Sequence, residues 1–443
     1  MTVGLVLTIT LVAFEALAIA TIMPLVGRHL GDLRLYGWVF SAFMLASLVG
    51  IVQAGALADR GPLRRPMLVG VALFAVGLAI GGLAPDMAVL VTGRVVQGLG
   101  AGFVPTVAYV AISRGYPERC RPRMFAVLST AWVVPGLVGP AVAALVATTV
   151  GWRWVFLGLI PLVIVAGSLA VVSLGHVPPP TTARKTSTSY LPVLAVVLGT
   201  CVALASLSSG DAPVMAVGAV FGGALLAFSL RQLTPPRTLV AAKGLPATIV
   251  GRGLLTCCFF AGDAYIPYAL NTVRGAPTAM AALALIASTM TWTASSWLQA
   301  RWVGRVGPRR LVRSGELLVL AGLALAALGL LPTVPPEVII LAWAVAGAGI
   351  GLAYAPLSVA TLGSAEAGEV GKATSALQLL DVLGQAIGTG VAGALIVVGA
   401  EGPGRTAGVA MAFAFATVVG VAGVVLGVRL PDRLGSTGSD LAN

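Results

Sequence analysis

Residues 90–101 read LVTGRVVQGLGA, an apolar run that holds one arginine and three glycines. Arg94 lies seven residues into a predicted helix that starts near residue 87, about 10 Å from its outer end at 1.5 Å per residue. An arginine inside a bilayer costs about 2.5–3.5 kcal/mol or more unless it faces protein or water. We therefore predict a membrane helix whose Arg94 faces a cavity and pairs with an acid or relays a proton. The alternative is an arginine that extends outward and only stabilises the orientation of the helix.

The composition of the whole chain also indicates a membrane protein. Of its 443 residues, 58% are hydrophobic and only 9% are charged, whereas an ordinary soluble domain has roughly 25% charged residues. A membrane helix needs about 20 apolar residues, so fourteen would use roughly 280 residues and leave about 163 for loops and tails. These long segments exclude a soluble protein and a transmembrane β-barrel, whose strands have about 10 residues of alternating polarity.

The apolar segments predict an all-α polytopic membrane protein with fourteen helices, in blocks of six, two and six. The predicted spans are residues 3–27, 37–58, 67–84, 87–110, 124–149, 154–175, 191–210, 213–230, 248–271, 277–299, 314–331, 337–360, 372–398 and 406–428. The predicted domains are an N-terminal six-helix bundle (1–175), a linker with an inserted two-helix hairpin (176–247, hairpin 191–230), a C-terminal six-helix bundle (248–428) and a cytoplasmic tail (429–443).

The basic residues predict the orientation of the chain. A net charge of +12 would suggest nucleic-acid binding in a soluble protein, but in a membrane protein lysine and arginine collect in cytoplasmic loops. With a cytoplasmic N-terminus, the inner segments hold 21 basic residues, including those from Arg231 to Arg252, and the outer segments hold five. Both termini are therefore expected in the cytoplasm, on the inner or plasma membrane. Removing the hairpin leaves every other segment on the same side, so twelve helices remain an alternative to fourteen.

The two six-helix blocks resemble each other at an offset of about 245 to 251 residues. Residues 97–102, QGLGAG, correspond to residues 346–351, AGAGIG. The loop at 59–65, DRGPLRR, corresponds to the loop at 304–310, GRVGPRR. Duplicated bundles around a central site are typical of secondary transporters.

Four short motifs carry a family resemblance. They are residues 94–100 (RVVQGLG), 55–60 (GALADR), 139–140 (GP) and 152–156 (WRWVF). They are similar to the RxxQGxG helix motif, the cytoplasmic loop signature, the antiporter motif and the WRWiF segment of the Major Facilitator Superfamily. The closest resemblance is to its 14-helix drug/proton antiporter branch. Glu15 stands nine residues before a proline, where that branch usually has an aspartate.

The resemblance implies the fold of that superfamily and a set of residues that govern conformational change. In the family, the acid that matches Asp59 closes the cytoplasmic side through charge contacts in the outward-open state. For Arg64, a solvated loop arginine is an equal alternative. The implied gating residues are Asp59, Arg60, Arg64, Gln97, Gly98, Gly139 and Pro140.

Three acids, Glu15, Asp263 and Asp381, lie near the middle of predicted helices. A carboxyl group removed from water there is readily protonated, so each acid is a candidate proton carrier. The structural alternative is an acid that is hydrogen-bonded to a neighbouring helix. Glu316, two residues into its predicted helix, is interpreted as an ordinary helix-start acid.

The resemblance also implies a central cavity lined by the first and fourth helices of each block. Glu15 and Arg94 then lie in one wall, and Asp263 and Tyr354 in the other. Aromatic side chains bind lipophilic cations by cation–π attraction, although in membrane helices they also form interfacial belts. The candidate substrate-cavity residues are Tyr109, Tyr265, Tyr268, Asn271, Trp292 and Tyr354.

These features predict a secondary active transporter and not an enzyme. The preferred hypothesis is proton-coupled efflux of lipophilic, cationic or amphipathic compounds by alternating access. The expected partners are a small-molecule substrate, protons and the lipid bilayer, with no cofactor, metal or nucleic acid, and the protein is expected to be a monomer. One alternative is an exporter or importer of a single metabolite, lipid or siderophore. Another is a membrane-embedded sensor or enzyme, which is disfavoured because the loops carry no cluster of nucleophile, base and orienting group.

Overall fold

The computed structural model describes residues 2–116, 133–177, 191–207, 211–365 and 370–432, together with Met124, Val127, Ala131 and Ser209. Throughout these residues the regular elements are helices, as the apolar runs predict. Most of the predicted linker at 176–190 and of the predicted tail at 429–443 lies outside the described residues.

The chain forms two compact units, Met1–Leu191 and Pro192–Asn443. The main helices of the first unit are α1 (Thr2–Leu30), α2 (Trp38–Arg60), α3 (Arg64–Gly82), α4 (Met87–Gly115), α5 (Val133–Val146) and α6 (Leu159–Ser173). The shorter elements of this unit are the helix Leu33–Tyr36 before α2, the π-helix Ala147–Gly151 after α5, the helix Arg153–Leu157 before α6 and the 3₁₀ turn Leu174–His176.

The second unit begins with the predicted hairpin and continues into six further helices. The hairpin consists of α7 (Leu191–Leu207) and α8 (Ala212–Leu233). The six further helices are α9 (Leu245–Asp263), α10 (Thr278–Val306), α11 (Pro308–Leu328), α12 (Glu337–Ser364), α13 (Val370–Glu401) and α14 (Arg405–Leu426). The shorter elements are the 3₁₀ turn Thr238–Val240, the helix Ile266–Tyr268 and π-helix Ala269–Val273 after α9, and the 3₁₀ turn Gly427–Arg429.

Twelve helices of the described chain are long and apolar enough to cross a membrane. Of the fourteen numbered helices, α7 falls short with 17 residues, and α10 is not among the twelve because its serine and threonine residues lower its hydropathy. The predicted polytopic helical membrane protein is thus confirmed, while the counts of fourteen and twelve spans both stay predictions.

Local sequence signals set several helix starts. Asp86 caps α4, because its carboxylate accepts a hydrogen bond of 2.8 Å from the backbone N–H of Val89. Both α9 and α11 carry a proline in the first turn, where the missing N–H would have had no helical partner. Gly307, just before α11, has a φ of 84°, which glycine adopts without strain.

The internal repeat appears as equivalent close contacts between helices. In the first unit, a Cβ atom on Gly100 of α4 would lie 2.5 Å from the carbonyl oxygen of Gly70 on α3. In the second unit, a Cβ atom on Gly349 of α12 would lie 2.5 Å from the carbonyl oxygen of Gly315 on α11. Small residues of this kind let membrane helices approach closely. Each block therefore packs its fourth helix on its third through corresponding glycines.

Two charged residues lie deeper than the sequence predicts. Helix α11 begins at Pro308 and not near residue 314, so Glu316 is its ninth residue and only 3% exposed. The interpretation of Glu316 as a helix-start acid is therefore wrong. Arg252, counted with the cytoplasmic loops, is the eighth residue of α9 and is buried. Hydropathy marks where apolar residues begin, whereas helical hydrogen bonding continues through the basic residues that flank them.

Candidate functional site

A buried ion pair joins two helices of the first unit. Arg94 on α4 donates a hydrogen bond to the carboxylate of Glu15 on α1, and both side chains are 2% exposed. The same guanidinium donates to Oε1 of Gln97 at 2.7 Å and to the carbonyl oxygen of Val39 on α2 at 3.1 Å. It also lies 4.1 Å from the ring centre of Phe43. Three helices therefore meet at Arg94.

The surroundings of Arg94 differ from the predicted ones, in which its side chain faces a cavity. Arg94 is enclosed by protein in this conformation, because its accessible fraction is 1%. The enclosure is not fully satisfied, since Oε2 of Glu15 and Nε2 of Gln97 have no hydrogen-bond partner among the described residues. A buried pair with unfilled bonding positions is held mainly by its own charges, so neutralising one member changes the balance sharply.

A second buried cluster lies in the second unit, around Asp381 on α13. The hydroxyl of Tyr354 on α12 donates to Oδ2 of Asp381 at 2.7 Å. Nε of Arg252 on α9 lies 3.6 Å from Oδ1 of the same carboxylate. The guanidinium carbon of Arg252 stands 3.3 Å from the ring centre of Tyr354, and Nη2 donates to Ser358 at 2.8 Å. Asp381 therefore has a cationic partner within its own unit.

Arg252 is not among the site residues predicted from the sequence. It was counted with a cytoplasmic segment, although position 252 falls inside the predicted span 248–271. An arginine four residues inside an apolar span was the signal that could have revealed it, as it did for Arg94.

Asp263, the last residue of α9, has a different environment. Nε1 of the buried Trp343 donates to its Oδ1 at 2.8 Å. Asp263 is partly exposed and forms no ion pair with any described residue. Of the three predicted intramembrane acids, Glu15 and Asp381 have an arginine partner, while Asp263 has an indole N–H.

Aromatic rings connect the surroundings of Asp263 and Asp381. Phe259 stacks on Trp343 with ring centres 5.3 Å apart and meets Trp292 edge-on at 5.6 Å. Trp292 in turn lies 5.6 Å from the ring of Tyr354, which binds Asp381. Two acids of the second unit thus lie at the two ends of one run of aromatic contacts.

Two of the remaining candidate cavity residues donate side-chain hydrogen bonds to backbone carbonyl oxygens. Tyr265 is fully buried and donates to the carbonyl oxygen of Thr389 at 2.7 Å. Asn271 donates to the carbonyl oxygen of Ala276 at 2.8 Å. Tyr268 is also buried, whereas Tyr109 on α4 is 45% exposed. Among these residues, the contacts of Tyr265 and Asn271 indicate a structural role.

The buried charges lie on helices that are long enough to span a membrane. The model of the Major Facilitator Superfamily matches residues 5–322. The chain belongs to the Major Facilitator Superfamily. It is therefore a multi-pass membrane transporter by family and fold.

Relatives of this superfamily member include proteins of Mycobacterium tuberculosis. A probable multidrug-efflux transporter is 28% identical over 436 residues, which cover 93% of this chain and 90% of the relative. The drug efflux pump JefA is 26% identical over 385 residues, which cover 83% and 74%. The fold is similar to that of a POT family transporter, at 14% identity, a TM-score of 0.73 and 96% coverage of each chain. It is also similar to a D-xylose-proton symporter, at 17% identity, a TM-score of 0.67 and 98% coverage of each chain.

The loop signature of the superfamily forms a contact between α2 and α4. Oδ1 of Asp59 lies 3.3 Å from Nη2 of Arg114, and Nη1 of Arg114 donates to the carbonyl oxygen of Ala58 at 3.0 Å. Arg60 and Arg64 are exposed. The cation that contacts the predicted gating acid is thus Arg114, at the end of the helix that carries the RxxQGxG motif.

The other predicted gating residues lie at helix contacts of the first unit. Gly98 on α4 packs directly against the backbone of Phe43 on α2. Gly139 and Pro140 are buried inside α5, and Gly139 faces Phe14 of α1, since a Cβ atom on it would lie 3.6 Å from that ring. Gly98 therefore allows a close approach of α4 to α2, whereas the spacing at Gly139 is that of an ordinary contact. Pro140 removes one helical hydrogen bond.

Proposed function

We propose that this protein is a proton-coupled exporter of lipophilic cationic or amphipathic compounds that works by alternating access. The observation that carries the proposal is the difference among the three intramembrane acids. Asp263 lacks a cationic partner among the described residues, while Glu15 and Asp381 each have an arginine. A carboxylate without a built-in counter-charge is the position at which an incoming cation and a proton compete.

Asp263 is therefore the proposed exchange site. An ionised Asp263 attracts a cationic substrate, and a proton bound from outside neutralises the carboxyl and releases that substrate. The partly exposed ring of Trp292, which belongs to the same run of aromatic contacts, provides a face for a lipophilic cation, and a well-placed cation–π contact is worth about 0.5–2 kcal/mol. The mycobacterial relatives are named as a probable multidrug-efflux transporter and a drug efflux pump, which supports export of such compounds.

Glu15 and Asp381 are the proposed coupling acids. Protonation of Glu15 removes the charge that holds Arg94, and Arg94 then retains Gln97 and the backbone of α2 as partners. Loss of the proton restores the ion pair. A proton that crosses the membrane field contributes about 2.3 kcal/mol per 100 mV, which is enough to bias a transporter whose two states differ by a few kcal/mol.

The proposal includes an orientation and an assembly. The protein lies in the inner or plasma membrane with both termini on the cytoplasmic side, since the basic loops then fall on the inner side. The transporter functions as a monomer, with one substrate path in each chain.

The test is substrate-induced proton release in proteoliposomes. Wild type is compared with Asp263→Asn, Glu15→Gln and the control Glu337→Gln, which changes an exposed acid at the start of α12. Each variant is assayed with a cationic dye and with an uncharged dye of similar size. We expect Asp263→Asn to lose transport of the cation, Glu15→Gln to lose proton release, and Glu337→Gln to behave as wild type.

Three results would contradict the proposal. Transport of the cationic dye by wild type without any dependence on pH would rule out proton antiport. A cationic dye carried equally well by wild type and Asp263→Asn would remove Asp263 from the exchange site. Unchanged tolerance of overexpressing cells to a broad panel of cationic compounds would favour a transporter of one metabolite, lipid or siderophore.

A further inference from the structure

Glu316 is a buried acid that lies outside both clusters described above. It sits in the middle of α11 and is 3% exposed. Its surroundings are a narrow cavity between α9, α11 and α14, with no room for a water molecule. The lining residues are Leu254, Leu255, Cys258, Glu316, Val319 and Gly420. Oε2 of Glu316 has no hydrogen-bond partner among the described residues.

The last helix leaves space for this carboxyl group. A Cβ atom on Gly423 would lie 2.7 Å from Oε1 of Glu316, and a Cβ atom on Gly420 would lie 2.8 Å from Sγ of Cys258. Any larger residue at either position would displace one of these side chains or move α14. The two glycines therefore allow α14 to pack against both the carboxyl and the thiol.

No charged group of the described chain forms an ion pair with the carboxyl group of Glu316. Within the described chain, the charged group that acts on it is Arg313, one turn earlier on α11, and the two form no ion pair. Helix α9 brings the thiol of Cys258, and α14 brings glycines. On another part of α11, helix α12 packs through small residues such as Gly349 and Ala346.

An ionised carboxylate in this position would lack a counter-ion, a hydrogen bond at Oε2 and water. Burying an unpaired charge is so unfavourable that such a group takes up a proton instead. We propose that Glu316 is a proton-binding site, that it carries its proton while α14 is packed on α11, and that loss of this proton loosens α14. The contact is a pH-sensitive switch in the second unit, separate from the exchange site at Asp263.

The first test is infrared difference spectroscopy of the full-length protein in lipid at neutral pH. We expect Glu316→Gln to remove the carbonyl band of a protonated carboxyl group relative to wild type. The control Glu337→Gln should remove carboxylate bands only, because its side chain is exposed. Loss of carboxylate bands, and not of the protonated band, in Glu316→Gln would overturn the proposal.

The second test reads the loosening of α14 through Cys258. Two proteins are prepared with Cys258 as their single cysteine, one with the native Glu316 and one with the substitution Glu316→Gln. Each is treated with a membrane-permeant maleimide across a pH series. We expect several-fold faster labelling at alkaline pH in the protein with Glu316 than in the Gln variant. A carboxylate beside a thiol disfavours the thiolate, so faster labelling there reports opening and not thiol ionisation.

Equal rates of Cys258 labelling in the two proteins at every pH would overturn the proposal of a pH-sensitive switch. Glu316→Met serves as a second neutral variant should the Gln variant fail to fold, and it should also lack the pH-dependent rise. Neither readout requires transport, so the outcome for Glu316 is independent of the outcome for Asp263.

Discussion

Arg94 on α4 and Glu15 on α1 form a buried ion pair that ties two distant parts of the sequence together. Removing one member leaves the other as an uncompensated charge, which destabilises a protein by about 3–5 kcal/mol. We therefore predict that Glu15→Ala and Arg94→Met each lower the free energy of unfolding in detergent by about this amount. Denaturant titration of the purified protein measures the change.

The double variant distinguishes pairing from simple packing. Glu15→Ala combined with Arg94→Met leaves neither charge, so its loss of stability should be well below the sum of the two single losses. The control Arg65→Met changes an exposed arginine and should have little effect. A double variant whose loss equals the sum would mean that the two charges do not interact.

Two tyrosines from the same predicted cavity set should respond differently to loss of the hydroxyl group. Tyr354 donates to the carboxylate of Asp381, whereas Tyr265 donates to a neutral carbonyl oxygen of Thr389. Hydrogen bonds to charged groups are worth about 1.5–3 kcal/mol and neutral ones about 0.5–1.5 kcal/mol. We predict a larger loss of stability for Tyr354→Phe than for Tyr265→Phe.

The two substitutions should also have different effects on transport. Tyr354→Phe should alter proton-coupled transport, because Asp381 loses the hydrogen bond that the Tyr354 hydroxyl donates to its Oδ2. Tyr265→Phe should leave transport unchanged, because its hydroxyl donates to a backbone carbonyl oxygen and not to one of the intramembrane acids. Initial rates in proteoliposomes measure both. A severe transport defect in Tyr265→Phe without loss of protein would assign Tyr265 to the substrate path after all.

The sequence predicted the helical membrane fold well, because a span of apolar residues has few other stable structures in a bilayer. It also singled out Glu15 and Arg94, since charges in apolar runs are conspicuous. It missed Arg252 and misread Glu316, which lie close to the basic ends of apolar runs. Long basic side chains reach the interface from inside a helix, so arginines at 309, 310 and 313 do not mark a loop. The pairing of Arg252 with Asp381 depends on tertiary packing that hydropathy does not report.

Equivalent glycines of the two units should be equally intolerant of a side chain. Gly100→Ala forces a Cβ atom against the backbone of α3, and Gly349→Ala forces one against the backbone of α11. Overpacking of this kind costs about 1–3 kcal/mol. Both variants should therefore show a lower melting temperature in detergent than wild type. Gly223→Ala, a helix position with open space around it, is the matched control and should be neutral.

The α7–α8 hairpin determines whether the chain crosses the membrane fourteen or twelve times. Helix α7 has 17 residues, so it is about 25 Å long at 1.5 Å per residue, somewhat shorter than a hydrocarbon core of about 30 Å. A modest mismatch is tolerated by local thinning of the bilayer. We expect the hairpin to span the membrane and to present Asp211, at the start of α8, to the outside.

Labelling of introduced cysteines measures this topology in intact cells. In a protein without its native cysteines, Asp211→Cys should react with a membrane-impermeant maleimide added from outside. Arg237→Cys, after α8, is expected on the inner side for either count and should react only after the membrane is opened. Protection of both positions in intact cells would contradict the fourteen-helix prediction, because a hairpin that does not span keeps residue 211 on the same side as residue 237.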